Sequence, residues 1–295
     1  MSDPRDDLEA WRRAGAVYRH RGHEIFYRTG GAGPALLLLH GFPTACWDFS
    51  PLWAALTARF TVVAPDFIGF GFSAKPKPYP YSFFDQADLV EGLLQSLGIA
   101  GAHLLAHDYG DTVAQELLAR RCAGRARIEI ASAVLMNGGM FYSRIRFSPM
   151  QRLLRSPAGA MVQHLMHRRR FHASFAAIFG PRTRPSAQML DAFWRLVTCN
   201  HGRRVIHRVI QYLGERQRFE TRWTRALAEA GVPLRLIYGP EDPISGSAIA
   251  ERFAEVVPDA DIVRLDGIGH YPQLEAPADV ADAVFAFHRR IGSLP

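Results

Sequence analysis

Lysine is nearly missing from this chain: of the 35 basic residues in 295, 33 are arginine. Cysteine is scarce as well. The three present, Cys46, Cys122 and Cys199, are an odd number without metal-type spacing, which excludes a disulfide framework and leaves isolated buried thiols as the expectation. No apolar run approaches the roughly 18 residues that read as a membrane span. Met1 to Ala14 is polar and charged and lacks the apolar core of a secretion signal, so a cytoplasmic protein is expected. There is no internal repeat and no low-complexity tract. Basic repeats interleaved with aromatics are absent too, which argues against nucleic acid as a partner.

Negative charge is scarce in one region. Between Gly139 and Thr224 there are 16 Arg, no Lys and only three acids (Asp191, Glu215, Glu220), a balance of +13 within a total of +7 that leaves the rest at −6. In an arginine-biased chain this is first of all a solvated helical face. It also permits attraction of an anionic substrate, with membrane-surface association disfavoured.

What is present is a large core, 48% hydrophobic, patterned as alternating strands and helices. Short strands at Val17–His20 and His23–Arg28 precede the apolar run Ala35–Leu39, and Phe60–Asp66, His103–Asp108, Ala131–Met136, Val232–Tyr238 and Asp261–Leu265 read as further strands. Helical spacing is expected over Trp47–Ala58, Asp85–Leu97, Gly110–Arg121, Ser247–Val256 and Ala278–Ile291. Such alternation predicts a mostly parallel, doubly wound sheet with ligands at the carboxyl ends of the strands. From Phe141 to Thr224 no strand is evident, and helical stretches at Met150–Leu154, Ala160–His167, Ala187–Val197 and Arg203–Leu213 suggest a lid. The organisation expected is a core over 1–138, a helical cap over 139–224 and the rest of the core over 225–295.

Leu104 to Gln115 carries the central motif. An apolar strand runs into a turn at Asp108 and then a helix, and a strained turn of this kind needs small residues two before and two after the reactive one. Ala106 and Gly110 satisfy that around Asp108. The rival Asp111 has Tyr109 and Val113 in those places. Upstream, His40-Gly41-Phe42-Pro43 ends another strand, so that the N–H groups of Phe42 and Tyr109 could converge as an oxyanion hole. Downstream, Gly239-Pro240-Glu241-Asp242 and Gly267-Ile268-Gly269-His270 put an acid and a histidine just past two later strands. The order Asp108, Asp242, His270 is nucleophile, orienting acid and base, the chain order of an α/β-hydrolase triad with Asp in place of the usual Ser.

A carboxylate nucleophile narrows the reaction. It is already ionised, can displace a leaving group from an sp³ carbon, and forms an alkyl ester that His270-activated water would hydrolyse. A carboxylic ester or amide would give an anhydride instead, so esterase and peptidase activities are disfavoured. Epoxides and alkyl halides remain. No cofactor or metal is called for.

These residues resemble the epoxide hydrolase and haloalkane dehalogenase branch of the α/β-hydrolases over almost the whole chain, most closely the epoxide-hydrolase-like mesoderm-specific transcript proteins. Ala106 to Asp111, Asn137-Gly138-Gly139, Phe179-Gly180-Pro181, Tyr238-Gly239-Pro240 and His270 to Glu275 carry the likeness. It implies an α/β-hydrolase fold with an inserted helical lid and a small apolar or amphipathic substrate. It also implies lid tyrosines that donate to the opened epoxide oxygen. Tyr212 matches the second of them; Tyr142 or His164 could replace the first. His40, Tyr142, His164 and Trp194 are expected around the substrate. Phe42 and Tyr109 stand where dehalogenases usually hold the halide, which weakens the dehalogenase alternative. A non-catalytic, ligand- or membrane-binding member of the fold is the other alternative.

Overall fold

The computed structural model describes residues 4–163 and 166–295. Eight strands form one sheet in the order β1-β2-β4-β3-β5-β6-β7-β8. They are β1 (Ala16–His20), β2 (His23–Gly30), β3 (Ala35–Leu39), β4 (Thr61–Pro65), β5 (Gly101–His107), β6 (Glu129–Met136), β7 (Leu234–Tyr238) and β8 (Asp261–Arg264). β1 and β2 are a hairpin about Arg21-Gly22, β2 runs antiparallel to β4, and every other pairing is parallel. Parallel strands buried on both faces need continuous apolar runs. Leu36 to Leu39 and Leu104 to Ala106 accordingly have no exposed surface. Because β3, β5, β6, β7 and β8 run the same way, the loops after Leu39, His107, Met136, Tyr238 and Arg264 open on one edge.

Helices form along the core where the 3.6-residue spacing predicts them, with corrections at Trp47–Ala58 and in the lid. Trp47–Ala58 is not one α-helix: Cys46–Leu52 is a 3-10 segment and only Trp53–Thr57 is α-helical, Pro51 lying inside the first with no N–H to give. In the lid, Arg203–Leu213 is broken. Asn200 and His201 turn the chain at φ 48° and 62°, a short helix covers Ile206–Val209, and a new helix, Tyr212–Ala228, begins beyond it. That break lets Ile206 and Val209 serve the lid while Tyr212, Leu213 and Arg216 are buried below it. The new helix runs on past Thr224. Trp223 and Arg222 both donate to Glu116 at 2.9 Å, tying the helix to Tyr109–Cys122 of the core.

The remaining lid helices are Pro149–Arg155, Gly159–Val162, Arg168–Ala176 and Ala187–Thr198. Arg168–Ala176 was not expected, because its arginines mask the apolar pair Phe171 and Phe175 that it buries. Among the described residues no helix is long and apolar enough to cross a membrane.

Candidate active site

Asp108 occupies the tip of the turn between β5 and the helix Tyr109–Cys122, at φ 47° and ψ −100°. A non-glycine residue held there stores roughly 1–3 kcal/mol of strain. The close approach that forces small neighbours is visible: a Cβ on Gly110 would stand 2.1 Å from the Leu39 carbonyl oxygen. The β3 turn meets the same spot, where the Phe42 N–H donates to Asp108 Oδ2 at 2.9 Å. Tyr109 opens its helix, so its own N–H has no partner within the helix.

Asp242 and His270 arrive from the loops after β7 and β8. His270 Nδ1 is 2.8 Å from Asp242 Oδ2, with both side chains buried. Asn137 Nδ2 and Ser245 Oγ donate to the same oxygen at 2.8 and 2.7 Å, and the Ile244 N–H donates to Oδ1 at 2.8 Å. Burial alone would raise the Asp242 pKa, but the attraction of His270 and these donors hold it below the ordinary carboxylate value. Burial also works against the charged imidazole. The Asp242 charge and hydrogen bond, with help from Asp108 and Glu275, outweigh it and raise His270 to about 9.

Between sheet and lid lies a cavity of about 760 Å³ whose wall includes Phe42, Asp108, Arg216 and His270 on the sheet side. Leu153, Leu154, Val162, Phe171 and Phe175 face them, with Arg146 and Arg170 also on the wall. The volume lies within the usual range for small-molecule sites, and the lining is mostly apolar.

Several expected pocket residues are elsewhere. His40 is fully buried behind the β3 turn, Nδ1 against the Gly41 carbonyl at 2.9 Å and Nε2 accepting from the Phe67 N–H at 3.1 Å. Burial pushes its pKa down to about 3, the value of a neutral structural imidazole. Tyr142 opens the 3-10 turn Tyr142–Arg144, its hydroxyl accepting from Arg155 at 3.0 Å. Trp194 packs on Phe171 at 5.5 Å within the lid instead of lining the cavity. His164 lies outside the described residues. Tyr109 turns its ring into a cluster of Phe67, Phe70, Phe83 and Tyr212, 4.5–5.3 Å between centroids, away from the cavity. Tyr212 is behind the wall, edge-on to Phe42 at 5.5 Å and under the Arg216 guanidinium at 4.8 Å. Burial and the Asp108 charge both oppose its ionisation, so the phenol stays neutral.

Three contributors escaped sequence reasoning. Arg216 comes from the lid-to-core helix and touches Asp108. Ser245, three residues after Asp242, completes the acid's hydrogen bonds. Glu275 binds the His270 loop to the lid: its carboxylate accepts from the N–H groups of Gly180, Gly269 and Tyr271 at 2.8–2.9 Å and from Thr183 Oγ1 at 2.5 Å. The signal for Glu275 was its place in the His270-to-Glu275 motif; for Arg216 there was only the one-turn spacing from Tyr212.

A strained carboxylate over an N–H donor, with a buried Asp–His pair beside it, on strand ends under a helical lid, defines a hydrolase architecture. The alpha/beta hydrolase family model matches residues 36–283, and the chain belongs to that family. It is 40% identical over 292 residues to the mesoderm-specific transcript protein of Mus musculus, covering 95% of this chain and 87% of that protein. It is 39% identical over 287 residues to LipZ of Mycobacterium tuberculosis, covering 97% and 99%. Among solved structures, a loop variant of the haloalkane dehalogenase DbeA from Bradyrhizobium elkanii superposes with a TM-score of 0.79 at 25% identity, covering 95% of this chain and 97% of that one.

Proposed function

We propose that this hydrolase opens epoxides to vicinal diols through a covalent Asp108 alkyl ester. The observation that carries the reading is the Asp108 carboxylate itself, on the cavity wall with Oδ2 held by the Phe42 N–H. Oδ1 is then the nucleophile. It attacks the less hindered epoxide carbon, the C–O bond breaks, and the electron pair remains on the ring oxygen as an alkoxide. Oδ2 becomes the ester carbonyl oxygen, already beside the donor that a tetrahedral intermediate requires. His270, its Nδ1 committed to Asp242, offers Nε2 to a water that attacks the ester carbon.

The alkoxide needs a proton. Tyr142 is engaged with Arg155, and Tyr271 has its hydroxyl 3.5 Å from Thr44. Tyr212 is the phenol taken as donor: it is neutral and packs against Phe42 and Arg216 of the cavity wall, past which its hydroxyl has to reach the alkoxide.

The likeness to a haloalkane dehalogenase supports a second reading with the same first step and halide as leaving group. Against it, the side chain that follows the nucleophile, Tyr109, turns away from the cavity.

Multiple turnovers in ¹⁸O-water on styrene-like epoxides and, in parallel, on haloalkanes, followed by mass analysis of the Asp108 peptide, test the proposal. Label should enter Asp108, because water attacks its carbonyl carbon. Diol formation without label in Asp108 would remove the ester; halide release without diol formation would install the second reading.

A further inference from the structure

Arg216 is a buried guanidinium with its own place in the site. Its side chain is 4% exposed, and it lines the cavity. Nε donates to Thr112 Oγ1 and Nη2 to the Asp108 main-chain oxygen, both at 2.8 Å. The rings of Tyr212 and Phe83 flank it at 4.8 and 5.7 Å. Gly139 makes room for it, since a Cβ there would lie 2.3 Å from Nη1. So placed, Nη2 is 3.5 Å from Asp108 Oδ1. At the nearby Asp111, burial raises the carboxyl pKa well above the ordinary range and so disfavours its charged form.

The two carboxylate oxygens of Asp108 therefore have different neighbours, and the ester route gives them different fates. Oδ2 stays on the enzyme as the carbonyl oxygen. Oδ1 forms the bond to substrate carbon and leaves with it. When water adds to Cγ, a Cγ–O bond forms, its proton passes to His270 Nε2, and negative charge collects on Oδ2 beside the Phe42 N–H. Collapse then breaks Cγ–Oδ1 and sends that electron pair to Oδ1, now the oxygen of a departing alkoxide. His270 returns the proton to it, and the water oxygen remains in Asp108.

We infer that Arg216 is a further catalytic residue, the electrophile that stabilises the alkoxide as it leaves Asp108 during ester hydrolysis. A guanidinium cannot lose its proton at working pH, so it acts by charge and hydrogen bonding and leaves proton return to His270. Its position is set by Thr112 and the Asp108 main-chain carbonyl before the alkoxide forms, the condition under which such donors are most effective. In the resting carboxylate the charge is shared with Oδ2 and the contact is 3.5 Å; at collapse of the ester the charge is localised on Oδ1, which draws the guanidinium closer.

The inference rests on the proposed Asp108 ester but not on whether an epoxide or a halide forms it. The test is single-turnover rapid quench on the full-length protein with styrene oxide and its ring-pentafluorinated analogue, following the mass of the Asp108 peptide. In Arg216→Gln the ester should still form, while its decay slows by about 10² to 10³. The slowing should be smaller for the pentafluorinated ester, whose more acidic alcohol needs less help to leave, and Arg216→Lys should recover part of the rate. Decay slowed equally for both esters, formation slowed as much as decay, or no change in decay each overturns the role. If Arg216→Gln does not give a cooperative melt, Thr112→Val is measured in its place. It frees only Nε and should slow decay more for the styrene oxide ester than for the pentafluorinated one; an equal response overturns the role again. A wild type that forms no ester from any epoxide or haloalkane sinks the nucleophile reading itself, an outcome the variants cannot imitate.

Discussion

The sheet side of the cavity and its lid side hold their polar groups in different ways. On the sheet side every reacting group is fixed by others: Asp242 receives four hydrogen bonds, and Asp108 is held by the Phe42 N–H and flanked by Arg216. On the lid side Arg146 and Arg170 have no carboxylate partner among the described residues, and Leu153, 45% exposed, is part of the wall. Such satisfied networks over-determine position, whereas short helices that meet the cavity mainly through apolar side chains leave the lid room to repack. The chemistry is therefore built to tolerate little change and the substrate wall to tolerate much.

The largest expected effect lies on the sheet side. His270→Ala should slow ester hydrolysis by about 10⁴ while alkylation continues, so the Asp108 ester accumulates and is seen by mass. Normal turnover would break the assignment. The wild type sharpens it through pH. The fold raises His270 from 6.5 to about 9, so its contribution to stability is fully present below pH 6.5 and is lost as pH rises through 9. The base form is the active one. Esterification removes the Asp108 charge that helps to raise this pKa, so ester decay should rise at a lower pH than the value an NMR titration of the free enzyme gives for His270.

Next in size is Tyr212→Phe, which tests whether a residue behind the wall takes part in the reaction. Epoxide opening should fall by about 10² if the phenol supplies the alkoxide proton. Release of halide from a haloalkane should be untouched. Equal epoxide rates would confine Tyr212 to packing against Phe42 and Arg216.

Glu275 joins the two regions, and Glu275→Ala would leave the N–H groups of Gly180, Gly269 and Tyr271 without their acceptor. A loss of about 3 kcal/mol in stability is expected from denaturant titration. A loss within experimental error would mean that lid and His270 loop are held together by packing alone. The smallest effect belongs to the lid itself. Arg146→Ala combined with Arg170→Ala should leave turnover of a neutral epoxide nearly unchanged and weaken only the salt-dependent preference for an anionic one, acting over a Debye length of about 8 Å at physiological salt. A large loss on the neutral substrate would contradict the contrast drawn between the two sides.

The sequence by itself determined the sheet, the order of its strands along the chain, and which turns carry Asp108, Asp242 and His270. Those signals are local: a buried parallel strand needs an uninterrupted apolar run, and a strained strand-to-helix turn needs Ala106 and Gly110 around its reactive residue. Only the tertiary structure decided which lid residues face the cavity. Tyr142 and Trp194 have the right chemistry for a pocket wall, yet lid helices that mix arginine with apolar residues can turn a given side chain inward or outward at little cost in burial, and nothing in their spacing fixes the choice; His40, in the core, is claimed instead by the Gly41 carbonyl and the Phe67 N–H. Arg216 shows the same limit from the other direction. Among 16 arginines in the lid region it has no local mark, and the place proposed for it arises because the helix Tyr212–Ala228 crosses the Asp108 turn where Thr112, Gly139 and the Asp108 carbonyl, each distant from it in the chain, leave room for one guanidinium.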